Sequence, residues 1–158
     1  MLVYTMFLYE VARALRRAKA RFAVVGGYAV ALHGAVRGTV DLDIILAFKK
    51  KDFAAAETAL RGMGLAPRLP VSAGEVFDFR EEYIRRRNLI AWSFADPRDP
   101  TRLVDVIITH DLDAMRVVKI RAGGEDLPVV GVEDLIAMKR ASGRPQDLED
   151  IRALKELS

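Results

Sequence analysis

The chain is 158 residues long, has no cysteine, and carries a net charge of +3 with a pI near 9.3. The missing cysteines exclude a disulfide framework and any thiolate metal site, while the length lets one domain bury roughly 70% of the surface its unfolded chain would expose. No apolar run is long enough to cross a bilayer, and the opening "MLVYTMFLYEVARALRRAKARF" is apolar early and basic late, the reverse of a secretory signal, so a cytoplasmic protein with no membrane partner is expected.

Taken in chain order, residues 4 to 19 are expected to be helical, because Phe7, Val11, Ala14, Leu15 and Ala18 recur at helical spacing with the arginines opposite. "RFAVVGG" is a short β-branched run, which places a strand at 21 to 25 and a tight turn at Gly26 and Gly27. "YAVALHG" reads as a brief helix stopped by Gly34, "VRGT" as a loop, and "VDLDIILA" as the next strand. A helix over 51 to 63 follows, closed by Gly64. Residues 65 to 100 are broken by Pro67, Pro70 and Gly74 and give no clear pattern. "LIAWSFA" and "RLVDVIIT" are strands joined through "DPRDPT" as a hairpin with a long loop. Two short strands surround Gly123 and Gly124, and two helices joined at Gly143 close the chain, the second with Pro145 in its first turn. The expected architecture is α+β: a single domain with a mixed sheet (core 20 to 130), flanking helices and a short C-terminal helical tail (132 to 157).

The acids carry the chemistry. Residues two apart on a strand share a face, so Asp41 and Asp43 stand side by side in an apolar run. Such a pair repels unless it shares a proton, meets a basic partner or holds a cation, and a hard cation such as Mg²⁺ prefers carboxylate oxygens. Asp105 interrupts "RLVDVII" in the same way. If its strand pairs with that of Asp41 and Asp43, three carboxylates converge, enough for the two metal ions of an in-line phosphoryl or nucleotidyl transfer. Gly26 and Gly27, between a strand and a helix start, suit a phosphate. The alternative is a structural polar network bonded to the "RGT" loop.

In this order the motifs resemble the core signature of the DNA polymerase beta type nucleotidyltransferase superfamily: "VVGGYAVALHGAVRGTVDLDIIL", then "RLVDVII". The tail "VEDLIAMKRASGRPQDLEDIRAL" is similar to the AbiEii-like toxin nucleotidyltransferases and their small relatives. The resemblance implies a nucleotidyltransferase fold in which Asp41, Asp43 and Asp105 carry Mg²⁺ and Gly26 and Gly27 hold a nucleoside triphosphate. It further implies that Lys139 contacts phosphates or substrate, that Asp147 sits close to the active site with Arg144, and that Arg37 and Thr39 enter from the loop before the acidic strand. The implied acceptor is a hydroxyl of tRNA or of a protein, in a toxin that would have a cognate antitoxin.

Each residue also has a plainer reading. Lys139 and Arg144 could be a snorkelling surface pair, and Asp147 a first-turn acid. His33 reads as a helix-end residue. Ile90, Trp92 and Phe94 alternate as one core face. Arg13, Arg16, Arg17, Lys19 and Arg21, and again Arg85, Arg86 and Arg87, permit a polyanionic partner, the second cluster being the better candidate for backbone contact. A non-catalytic nucleotide-binding or antitoxin-like protein of the same fold, and transfer to a small molecule such as an aminoglycoside, are the competing functions.

Overall fold

The computed structural model of the chain describes residues 2–35, 38 and 41–157. Helix α1 (Leu2–Arg17) buries Phe7, Leu8, Val11, Ala12 and Leu15. It ends two residues earlier than the apolar spacing suggests, because Lys19 adopts a left-handed φ of 61°. The amides of Lys19 and Ala20 then close back onto the carbonyls of Arg16 and Leu15 at 2.9 and 3.0 Å, the reciprocal pair of bonds that seals a helix C-terminus.

Strand β1 (Phe22–Val25) is buried throughout and runs straight into helix α2 (Gly26–Leu32), so the two glycines open a helix instead of forming a separate turn. Strand β2 (Leu42–Leu46) and helix α3 (Lys50–Gly62) follow. The stretch without a clear pattern resolves into strand β3 (Ala66–Pro67), helix α4 (Ala73–Asp78) and helix α5 (Arg80–Arg87). Helix α4 is started by a capping box between Ser72 and Glu75. Strands β4 (Ala91–Asp96) and β5 (Asp99–Ile107) form the expected hairpin with a shorter loop. Asp96 accepts from the amide of Arg98 at 2.9 Å and Asp99 from that of Thr101 at 3.0 Å, local bonds that tighten the turn. Strands β6 (Val117–Ala122) and β7 (Glu125–Val130) join through Gly123 and Gly124, both at positive φ, as a two-residue hairpin requires. Helices α6 (Val132–Ser142) and α7 (Pro145–Glu156) end the chain as expected, with Gly143 at φ 64° between them.

The seven strands make one mixed sheet in the order β3-β4-β5-β2-β1-β7-β6, with β2 parallel to β5, β1 parallel to β7, and the other neighbours antiparallel. Register decides what each face carries. Trp92, Val106, Ile44 and Val24 align across four strands, and Phe53 of α3 stacks on Trp92 at 6.0 Å; this face is apolar core under α3 and α4. The next row, Ser93, Asp105, Asp43 and Val25, points to the opposite face, where α2, α6 and α7 pack together. Trp92 and Phe94 are buried as expected. Ile90 is not: it precedes β4, outside the pleat, and is 54% exposed. No described helix is long and apolar enough to cross a membrane.

Candidate active site

The acids come together because β2 and β5 are parallel neighbours in register. Asp43 sits opposite Asp105, so their side chains leave the same face of the sheet one strand spacing apart, about 4.8 Å. Ser93, across on β4, donates its hydroxyl to Asp105 Oδ1 at 2.5 Å. Burial pushes the Asp43 carboxyl up to about 7, and the charges of Asp105 and Asp41 add to it; Lys139 and Arg144 pull the other way. Asp41 is exposed, one residue before β2. Among the described residues no three acids form a ready metal cage; Asp43 and Asp105 are a register pair, and Asp41 acts on Asp43 as a nearby charge. The reason is local: Asp41 lies outside the ladder that aligns the other two.

Gly26 closes the site from the β1 side. Its φ is +68°, and a Cβ there would overlap Asp43 Oδ2, so only glycine lets the backbone pass this close to the carboxylate. Gly27 is buried in the first turn of α2.

From the opposite side come α6 and α7. Lys139 is 8% exposed, and its Nζ lies 2.9 Å from Asp150 Oδ2 and 3.4 Å from Asp147 Oδ1. It is therefore not a snorkelling surface lysine. Arg144 donates to Asp147 from its backbone amide at 3.1 Å and from Nε at 2.8 Å, while its side chain stays 73% exposed. Burial raises the Asp147 carboxyl, but the bonds from Arg144 and the charge of Lys139 outweigh it and hold the pKa low. Opposite charges meet across this cluster, which is how buried charges persist. Asp147 is also a first-turn acid of α7.

Gly26, Asp43, Lys139, Arg144 and Asp147 line one cavity of about 170 Å³. Its apolar wall includes Ile90, Ile107, Leu135 and Met138, and Thr109, His110 and Ser142 also face it. Arg37 and Thr39 lie outside the described residues. His33 stays structural, its Nε2 bonding the Val130 carbonyl at 2.8 Å. Residues that sequence pattern alone misses are Asp150, three positions after Asp147, and Ser93, Ile90, Thr109 and His110. Only Asp150 carries a signal, its helical spacing from Asp147; the others depend on register and on chain ends. His110 is held by Thr109 at 2.9 Å and its pKa is lowered by burial.

No protein-family model and no curated protein sequence matches the chain. Solved structures do share its shape. The solution structure of the antibiotic-resistance factor ANT(2'')-Ia matches with a TM-score of 0.68 over 97% of this chain and 83% of that one, at 10% identity. The crystal structure of ANT(2'')-Ia with adenylyl-2''-tobramycin matches at 0.65 over 100% and 91%, with 11% identity. A Thermotoga maritima protein assigned to the nucleotidyltransferases matches at 0.65 over 96% and 92%, with 15% identity.

The fold is a nucleotidyltransferase fold.

Within that fold the cavity takes Asp43 from the start of β2, Ile107 from the end of β5, and Val25 and Gly26 from the junction of β1 with α2. The donor set suits a hard divalent cation: two carboxylates in register, a third nearby, and one carboxyl whose pKa is raised by burial and by its acidic neighbours.

Proposed function

We propose that the chain acts as a single nucleotidyl-transferring domain, moving a nucleoside monophosphate from a nucleoside triphosphate to an acceptor hydroxyl. The observation that carries this reading is the register pairing of Asp43 with Asp105 beside Gly26, with Gly26 and Asp43 lining a cavity that Lys139 and Arg144 also line. Asp41, Asp43 and Asp105 would hold Mg²⁺, with two ions as the expected complement. The ions would supply a lowered acceptor pKa and charge neutralisation at the α-phosphate and the leaving pyrophosphate.

The chain's own groups do the rest. Gly26 and Gly27 would offer the backbone amides that open α2 to the triphosphate, with Asp43 drawn close because Gly26 has no Cβ. Arg144, with its exposed guanidinium, and Lys139, anchored between Asp147 and Asp150, offer N–H donors to the phosphates from charges that their acidic partners hold in place. Arg37 and Thr39 complete the nucleotide contacts from the preceding loop. The acceptor oxygen bonds to the α-phosphorus, the bond from that phosphorus to the bridging oxygen breaks, and pyrophosphate leaves with the electron pair. Asp105 takes the acceptor proton.

The acceptor is a hydroxyl of tRNA or of a protein, in a cytoplasmic toxin of the AbiEii-like kind that a cognate antitoxin restrains. The exposed Arg85, Arg86 and Arg87 support a polyanionic acceptor. A small-molecule acceptor is the second reading, favoured by the match to ANT(2'')-Ia, whose crystal complex holds an adenylylated tobramycin. Incubation with each α-labelled nucleoside triphosphate, Mg²⁺ and, in parallel, total RNA, total protein or an aminoglycoside separates these. Label in RNA or protein is expected; label only in the aminoglycoside selects the second reading. Tight nucleotide binding with no labelled product in any arm would instead indicate a non-catalytic relative.

A further inference from the structure

Helix α5 carries a face that the chemistry above leaves idle. Phe79, at its N-terminus, is 52% exposed. Tyr83 follows one turn on, and Arg86 and Arg87 a turn later, the spacing that puts side chains on one side of a helix. With Glu82 they line a surface groove of about 310 Å³. The Arg87 guanidinium lies over the Tyr83 ring, 5.8 Å from its centroid, and among the described residues Arg87 makes no ion pair. Arg85 and Arg86 meet Glu81 and Glu82 only at 3.5 and 3.7 Å, with side chains about four-fifths exposed. Such pairs are worth little and exchange readily for another anion. No residue of α5 is fully buried; the helix meets the core through the half-buried Ile84 and leaves its other side to solvent.

This face is anchored beside the cavity. Arg80 Nη1 donates to the Ile108 carbonyl at 3.1 Å, the Leu89 amide to the Tyr83 carbonyl at 3.0 Å, and the Ile108 amide to the Ile90 carbonyl at 2.9 Å. Ile90 then lines the Asp43 cavity, and the three residues from Arg87 to Ile90 span at most about 10 Å. Exposed aromatic rings interleaved with guanidinium groups suit stacked bases and backbone phosphates of a single strand, whereas a duplex hides its base faces.

We propose that the α5 face of Phe79, Tyr83, Arg86 and Arg87 binds the single-stranded end of a nucleic-acid acceptor and leads its terminal hydroxyl past Ile90 to Asp43. The inference rests on the nucleotidyl-transfer reading for what happens at that hydroxyl, but its binding test stands apart from it. Fluorescence anisotropy with a labelled single-stranded oligonucleotide, tested as RNA and as DNA against a blunt duplex of the same sequence, is the measurement. Salt-sensitive binding of a single strand is expected, with the duplex weaker by about tenfold. The paired substitution Phe79→Ala and Tyr83→Ala should weaken the single strand by about tenfold or more, and R87Q should lower the salt slope by somewhat under one. Phe79 and Arg87 are exposed and Tyr83 is half-buried; the substitutions leave the fold, read by circular dichroism, and the Mg²⁺-nucleotide thermal shift unchanged, and Asp43→Asn leaves oligonucleotide binding intact. No single-strand binding, equal affinity for the duplex, or binding indifferent to loss of both rings would overturn the proposal. Oligonucleotide binding without any nucleotide-induced thermal shift would keep the docking face and sink the transfer reading instead.

Discussion

In the proposed reaction Asp43 carries most of the chemistry, and its protonation has a thermodynamic signature. Its folded pKa is raised to about 7 by burial and then by Asp105 and Asp41, against about 3.9 in an unfolded chain. Between those values the folded state holds a proton that the unfolded state releases, so stability falls as pH rises from about 4 to 7 and levels above it. Without divalent cations, the melting temperature should drop across that window by an amount that Asp43→Asn largely removes, and the variant should melt higher than the parent at pH 8. Chemical denaturation at pH 5 and pH 8 checks it; identical pH profiles for both proteins would contradict the assigned environment. Gly26→Ala makes a second residue-level prediction. The substitution forces a Cβ into a positive-φ position already filled by Asp43 Oδ2, so a loss of about 1–3 kcal/mol should accompany a loss of transfer. Gly124→Ala, at positive φ but in open space, should cost stability alone.

Helices α6 and α7 act as a charged clasp. Removing Lys139 as Lys139→Met takes from the buried Asp147 and Asp150 the cation that they share, and breaking such a cluster costs about 3–5 kcal/mol. Urea denaturation should register that loss, while Arg152→Ala, on the exposed side of α7, should stay within about 0.5 kcal/mol. Elements of this kind are legible in the sequence: α6 and α7 from apolar spacing with Gly143 and Pro145, the β6–β7 hairpin from Gly123 and Gly124, and the acidic strand from its period. The stretch from 65 to 90 is not, for physical reasons. Helix α4 has six residues and α5 has no fully buried residue, so neither leaves an apolar stripe to read. The Ser72 and Glu75 capping box is the one local sign. The Asp43–Asp105 pairing enters the sequence reading only as a condition, since register between strands far apart in the chain is set by the packed sheet. Ile90 leaves its expected face because β4 begins one residue later.

At the scale of the whole molecule, the sheet divides its labour by face. One side buries Trp92, Val106, Ile44 and Val24 beneath α3 and α4; the other presents Ser93, Asp105 and Asp43 to α2, α6 and α7. A ligand held on the second face stabilises the folded chain by mass action, about 2.7 kcal/mol at a hundredfold excess over Kd. For a chain of this length that is a rise of roughly 5–10 °C in melting temperature. Mg²⁺ and nucleoside triphosphate together should produce it, and each alone should give less. Pyrophosphate release measured at pH 8, with Mg²⁺ and each of the four triphosphates over total RNA and protein, tests the central claim most directly. The account predicts release with at least one triphosphate, matched by label in the acceptor, abolished by chelation and absent in Asp43→Asn and Asp105→Asn. Release that persists in both variants, or none with any triphosphate and acceptor, contradicts it.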